Sequence, residues 1–354
     1  MKICYIYDEL EKYTKNYITL KALEKNNVKV IKIRSSHKNI VMRDLKKIKK
    51  FLVQKESYDL ILVGMIGNFI TPLISKLTKK PIIFDPLISL YNTVVEDRNI
   101  FSNQSILGKI SFYLDKKSVL STHKTILDTD AHINYWVNEF GLPHKKFKKI
   151  FLGADDDVFY PRKYSSQTDD FIVKFYGGYI PAQGVDTIIR AASLLQEHRD
   201  IKFHLLGTGG AHYRFCRNLS QGLQINNVTF LERIPYRELP QFIEDADVML
   251  GLFGGTKKFN TAIPHKVYQA LAMKKSIVTG ESDGCKDLLT HRENVFFCKA
   301  NDPQSLANAL LELKDDENLR KKIAKNGYAA FRKYCTPKVI GREIKKIAEE
   351  ITSF

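Results

Sequence analysis

The chain has 354 residues, enough for two domains of ordinary size. Its 44% hydrophobic and 27% charged content is that of a folded globular protein and excludes a disordered chain. The formal charge of +17 is concentrated in residues 1–150, where 27 Lys and Arg face 14 Asp and Glu, a net of +13.

A basic half of this kind fits nucleic acid, anionic lipid or an acidic substrate. Its lysines lie at helical spacing (Lys46, Lys47, Lys49, Lys50) or in a short cluster (Lys145, Lys146, Lys148, Lys149). With no aromatic-interleaved RNA signature and no DNA-reading motif, no specific nucleic-acid partner is expected. An anionic membrane surface and a lysine-rich surface without a partner remain as alternatives. The five cysteines are scattered, odd in number and without a CxxC pair, which suggests neither a disulfide framework nor a zinc site and fits a reducing cytoplasm. The start, MKICYIYDEL, lacks the apolar core and cleavage site of a signal peptide. The expected location is therefore cytoplasmic, with a peripheral position on the inner membrane face as an option.

In chain order, residues 3–7 read as a strand, 17–25 as a helix and 28–33 as a strand. A basic helix over 43–54 follows, then a strand at 60–63, a helix running to Lys79 and a strand at 82–84. The stretch 60–77 is apolar, but Gly64, Gly67, Asn68, Thr71, Pro72 and Ser75 interrupt it. A buried strand, a turn and a helix explain it better than a membrane span. Residues 124–127 read as a strand, 131–140 as a helix and 149–152 as the last strand of this half. The alternation implies a parallel sheet covered by helices on both faces.

Residues 153–170, GADDDVFYPRKYSSQTDD, break the rhythm with polar turn formers and no periodicity, as a linker does. The alternation then restarts. Strands are expected at 171–176, 201–206, 228–231, 248–252 and 276–279, with helices at 185–197, 213–221, 238–246 and 264–273. Helices from Pro303 and Glu317 follow, and a last one over 337–351 closes the chain. The expected fold is α/β, two doubly wound Rossmann-like domains facing across a cleft. The first covers 1–152, with the terminal helix (337–354) crossing back onto it, and the second covers 171–336.

Three loops of the second half leave the C-terminal ends of strands and should converge: residues 177–184 (GGYIPAQG), 207–210 (GTGG) and 253–264 (FGGTKKFNTAIP). Glycines let phosphate approach backbone amides, and Pro264 suits a first helical turn, where its missing N–H costs nothing. A helix N-terminus beside Lys257, Lys258 and Lys266 stabilises clustered negative charge, which points to a diphosphate.

With these segments in view, the second half resembles the nucleotide-binding domain of retaining GT-B glycosyltransferases of the "group 1" (family four) class. The likeness is carried by QGVDTIIRAASLL, FHLLGTGG, VTFLERIPYRELPQFIEDADVMLGLF and IPHKVYQALAMKKSIVTG, densely over 171–335. In the first half, FDPLISLYNTVVEDR, DTDAHINYW and the linker start GADDDVF are similar to a bacterial and archaeal branch of that class. The resemblance implies a nucleotide diphosphate sugar as donor, a glycan or lipid-linked acceptor, and transfer that keeps the anomeric configuration. No metal and no other cofactor are expected, in keeping with the lack of an Asp-x-Asp cluster near the phosphate loops. The leaving diphosphate would be stabilised electrostatically by a helix N-terminus and basic side chains.

Carried over by position, Gly177, Gly178, Tyr179, Gln183 and Gly184 lie against the diphosphate and sugar. Gly207 and Gly209 of the second loop, and Phe253, Gly254, Gly255, Ile263, Pro264 and Val267 of the third, complete the donor site. Lys258 and Lys266 are its catalytic cations, Ile234 flanks the base, and Gln269 stands where a ribose-binding glutamate is usual. The class pattern has an Arg and a Lys in the first loop where this chain has Gly178 and Gln183, and a Glu pair where it has Thr261 and Gln269. In an active enzyme Lys258 and Lys266 take over the missing charge. In the competing reading the chain keeps the fold as a binding or scaffold subunit. A sugar-nucleotide epimerase would need acid and base carboxylates, of which the second half offers few.

In the first half, Asp85 stands where the class often places a polar residue near the acceptor, and it is the third catalytic candidate; the alternative is an acid capping the Pro86 turn. Asp128 is an acceptor-side candidate or the N-cap of the following helix, and His132 reads as a surface or packing residue. Arg98 is an acceptor or phosphate contact, or pairs with Asp97 across a loop.

Overall fold

The computed structural model describes residues 1–9, 14–162 and 169–353. The chain forms two compact units, Met1–Gly153 with Thr336–Phe354, and Ala154–Cys335.

The first unit runs β1 (Lys2–Asp8), α1 (Thr14–Glu24), β2 (Lys29–Ser35), α2 (Ile40–Val53), β3 (Leu60–Val63), α3 (Ile70–Leu77) and β4 (Ile82–Phe84). A π-helical turn (Asn92–Asp97), α4 (Ile106–Leu120), β5 (Lys124–Leu127), α5 (Asp130–Phe140) and β6 (Phe147–Lys149) follow. All neighbouring strands pair parallel in the order β2-β1-β3-β4-β5-β6. β3 and β4 are wholly buried, as the continuous apolar runs LILV and IIF require of central parallel strands. The last strand lies at Phe147–Lys149, not at 149–152. The more apolar Phe151-Leu152 misled the reading, but pairing with β5 selects the earlier register, Thr125 against Phe147. Helix α4 and the π-helical turn were missing from the sequence reading.

The second unit runs β7 (Phe171–Tyr176), α6 (Val185–Leu194), β8 (Ile201–Leu206), α7 (Gly210–Gly222), β9 (Val228–Leu231), α8 (Leu239–Glu244) and β10 (Val248–Leu250). Then come α9 (Lys257–Thr261), α10 (His265–Ala272), β11 (Ser276–Gly280), α11 (Asp283–Lys286), β12 (Phe296–Cys298), α12 (Pro303–Asp315) and α13 (Glu317–Tyr334). Its sheet is also parallel, in the order β12-β11-β10-β7-β8-β9. One core cluster, with Val173, Phe175, Ile188, Phe203, Val248 and Leu310, joins the sheet to α6, α12 and α13. The starts of α12 and α13 follow local rules: Asp302 accepts from Ser305 N at 3.0 Å with Pro303 next, and Asp316 accepts from Leu319 N at 2.8 Å.

At the change of unit, Asp155 Oδ1 accepts from Asp157 N at 3.0 Å, and Asp155 O accepts from Phe159 N at 2.8 Å. The acidic run thus begins as an ordered turn. The closing helix, α14 (Pro337–Thr352), belongs to the first unit and packs on α1, where Ile340, Ile344, Ile347 and Ala348 share a core with Ile18 and Ala22.

Candidate functional site

The second sheet reverses direction between β7 and β10. From β7 the chain moves outward to β8 and β9, and from β10 the other way to β11 and β12. Loops leaving two such strands diverge to opposite faces and open a crevice at the C-terminal ends, where doubly wound folds take their ligands. The three glycine loops meet at this edge. Gly177 N donates to Leu206 O at 3.1 Å, Phe253 N to Gln183 O at 3.1 Å, and Gly254 N to Ala182 O at 3.3 Å. The backbones approach so closely that no side chain fits between them. A Cβ on Gly207 (φ 152°) would lie 2.2 Å from Gly177 O, and one on Gly254 2.2 Å from Pro181 O. Gly178 and Gly209 border open space, Gly184 ends the 181–183 turn, and Gly255 lies against the Asn301 side chain.

Lys266 reaches into the middle of this edge. It lies in the first turn of α10, is 5% exposed, and places Nζ 3.5 Å from the centroid of the Phe175 ring. Nζ donates to Gln183 Oε1 and, at 3.5 Å, to Gly251 O; a Cβ on Gly177 would lie 3.1 Å from it. Burial alone drives its pKa well below the ordinary lysine value, and among the described residues no carboxylate pairs with it. The class pattern expects a lysine at position 183. In this chain position 183 is Gln183, and its side-chain oxygen accepts from the Lys266 amine of α10.

Pro264 is the N-cap of α10 (φ −73°, ψ 151°), one residue before the helix and not within its first turn, so no side chain caps the leading amides. Gln269, one turn beyond Lys266, is 3% exposed, and its Oε1 accepts from the hydroxyl of buried Tyr176. The rings of Phe253 and Tyr179 and the aliphatic chains of Ile263 and Val267 are all buried. Tyr179 packs edge-on against Tyr213, centroids 4.9 Å apart, so its ring belongs to the core and not to the loop surface. Lys258 lies half-buried on α9, which Thr256 caps by accepting from Phe259 N at 3.2 Å and which packs on the 181–183 turn. Thr261 donates to Lys258 O at 3.2 Å, and Ile234 is half-buried in the loop after β9.

In the first unit, Asp85 follows β4 and is buried beneath α1. Its Oδ2 lies 3.3 Å from Lys15 Nζ and accepts from Thr19 Oγ1 at 3.3 Å. Burial pushes its pKa up, while Lys15 and Thr19 pull it down. It neither caps the Pro86 turn nor lies open at a surface; its carboxylate faces α1. Asp128 does not cap α5. Thr129 does, accepting from His132 N at 3.0 Å, while Asp128 Oδ1 meets His132 Nδ1 at 2.7 Å. His132 is thus the buried partner of an acid that stands four residues earlier, just ahead of α5. Arg98 is exposed at the end of the π-helical turn. Sequence reading missed Lys15 and Tyr176; no local pattern marks a lysine or tyrosine whose partner lies far along the chain.

Among the described residues no helix is long and apolar enough to cross a membrane. Two six-stranded, doubly wound parallel units with the crossing α14 define the GT-B fold. The structure of Anabaena HepE in complex with UDP and glucose has it too, with a TM-score of 0.75 at 16% identity over 99% of this chain and 100% of that one. Sucrose-phosphate synthase of Thermosynechococcus elongatus matches with a TM-score of 0.79 at 13% identity, covering 100% of this chain and 99% of that one. The sequence model of the family described as Glycosyl transferases group 1 matches residues 156–330. An uncharacterised glycosyltransferase of Methanocaldococcus jannaschii is 21% identical over 335 residues, 90% of this chain and 87% of that protein. The second unit carries the glycosyl transferases group 1 sequence over residues 156–330, and the chain is a glycosyltransferase.

Proposed function

We propose that this glycosyltransferase moves a hexose from a nucleoside diphosphate sugar to a glycan or lipid-linked acceptor with retention of configuration, without a metal, at the inner face of a membrane. The observation that carries the donor site is Lys266: a buried amine with no carboxylate partner among the described residues, set among three glycine loops at the reversal of the sheet. As the bond from the anomeric carbon to the diphosphate oxygen breaks and that to the acceptor oxygen forms, negative charge grows on the diphosphate, whose departing oxygen takes up the proton of the acceptor hydroxyl. Lys266, the leading amides of α10 and Lys258 on the adjoining α9 are the groups able to stabilise it. HepE has been solved with UDP, and a uridine donor is therefore the first choice for this chain. In the first unit, Asp85 and Asp128 orient the acceptor edge through Lys15 and His132, and Arg98 is the exposed cation for an acidic acceptor.

One observation favours the scaffold reading instead. Gln269 carries no charge and its oxygen is already engaged by Tyr176, so a ribose finds no free carboxylate there. Calorimetry with UDP, GDP and ADP separates the two, followed by turnover of the matching nucleotide sugars and NMR of the product anomer. Micromolar binding and an unchanged anomer support the proposal. Lack of binding at millimolar nucleotide supports the scaffold, and an inverted anomer rejects retention.

A further inference from the structure

Three successive helices of the first unit turn apolar side chains outward. The crossovers β2→β3, β3→β4 and β4→β5 all progress in one direction across the sheet, so right-handed connections place α2, α3 and α4 on one face. α3 packs against both of its neighbours. On α2, Val41, Leu45 and Leu52 share one stripe and are about half exposed or more, between 50% and 62%. At α3 the stripe is the N-cap residue Phe69 with Leu73 and Leu77; on α4 it is Ile106, Ile110, Tyr113 and Leu120, with Ile106 77% exposed. Scattered apolar residues on a surface need no explanation, but contiguous stripes on touching helices do.

The charges on these helices are of one sign. Lys46 and Lys49 flank the α2 stripe, Lys76 lies in that of α3 and Lys109 in that of α4, all exposed. The acids of the three helices, Asp44 and Asp115, are buried at 1% and 0%, so no carboxylate faces outward. Asp44 pairs with Lys47 at 2.7 Å, and Asp115 accepts from Asn68, Ser89, Leu90 N and Tyr91 N. A second copy of this face would meet like charge, and a nucleic acid would leave the apolar stripes in water. A bilayer carrying anionic lipid satisfies both features: aliphatic chains enter the boundary between headgroups and acyl chains while lysines extend to the phosphates.

We infer that the α2–α3–α4 face is the surface by which this protein lies on an anionic membrane. The inference deepens the reading of a membrane-linked acceptor and names its docking surface. It stands on surface chemistry and not on the donor site, so vesicle binding and nucleotide binding fail independently.

The test is sedimentation of the full chain with vesicles of phosphatidylcholine, with and without phosphatidylglycerol, at physiological ionic strength. The wild type should partition onto the anionic vesicles. K46Q/K49Q/K76Q should weaken this by roughly five-fold per lysine, on the order of a hundred-fold together. I106S/I110S/Y113S should make the residual binding disappear at high salt, where only the apolar contribution persists. K286Q/K299Q/K321Q removes the same charge from exposed positions of the second unit and should change little. The inference is overturned if the wild type stays in the supernatant, if the control triple weakens binding as much as the face triple, or if the serine triple is retained like wild type. Retention on RNA at physiological salt without vesicle binding would overturn it as well.

Discussion

Replacing Lys266 with Met removes the ammonium yet keeps an unbranched chain over Phe175. In the free protein the charged form of that amine gains about 2 kcal/mol from the ring face and about 1 kcal/mol from the bond to Gln183. Against this stand several kcal/mol for desolvating an ion. Lys266→Met should therefore leave stability unchanged or raise it by about 1–2 kcal/mol, a Tm rise of roughly 2–8 °C. With a diphosphate bound the balance inverts, because a charge-assisted hydrogen bond of about 1.5–3 kcal/mol is lost, weakening UDP by roughly 10- to 150-fold. If the same ammonium meets the leaving group, kcat falls by about 10²–10³.

The pH dependence follows in sign. Burial holds the folded pKa of Lys266 well below its ordinary value near 10.4. Between those limits the unfolded chain keeps a proton that the folded chain has released, so stability rises with pH across the window. A bound diphosphate restores the proton, so UDP binding takes one up and tightens as pH falls through the same range. Titration calorimetry in phosphate and in Tris, at a pH inside that window and above the last UDP ionisation, should show a buffer-dependent enthalpy in the wild type and none in Lys266→Met. Equal UDP affinity in the two proteins, together with a buffer-independent enthalpy in the wild type, would refute the reasoning.

Gln269→Glu adds a carboxylate one helical turn from Lys266, which should return the lysine toward its ordinary pKa; proton uptake on UDP binding should then shrink in the same calorimetric experiment. Gly207→Ala forces a Cβ to 2.2 Å from Gly177 O and should cost about 1–3 kcal/mol, a Tm drop of roughly 2–12 °C, and abolish UDP binding by parting two loops. Lys15→Met strands the buried Asp85 carboxylate and should cost about 3–5 kcal/mol in denaturant unfolding, whereas Lys15→Met with Asp85→Leu should recover most of that loss.

Much of this protein was legible locally. Apolar runs such as LILV and IIF, Pro303 at a helix start, and glycines placed directly after strands depend on neighbours in the chain, so the order and type of most elements followed from the sequence, whereas the cap of α5 proved to be Thr129 and not Asp128. Helix α4 was invisible for a physical reason: its buried positions are Gly108, Ser111, Asp115, Ser118 and Val119 while Ile106, Ile110, Tyr113 and Leu120 face outward, so the apolar-in pattern that marks a core-facing helix is inverted. The strand at Phe147–Lys149 was missed because register is chosen by pairing with β5 and not by local hydrophobicity. At the site, the three loops and the lysines could be named in advance, but side-chain direction could not. Lys266 turning onto Phe175 and Gln183, Tyr176 reaching Gln269, and Tyr179 turning into the core are set by residues 34 to 93 positions away. Composition and spacing chose the scaffold, because those forces act within a few residues. Packing across the sheet decided which ammonium serves the anion, because burial and charge pairing act through space.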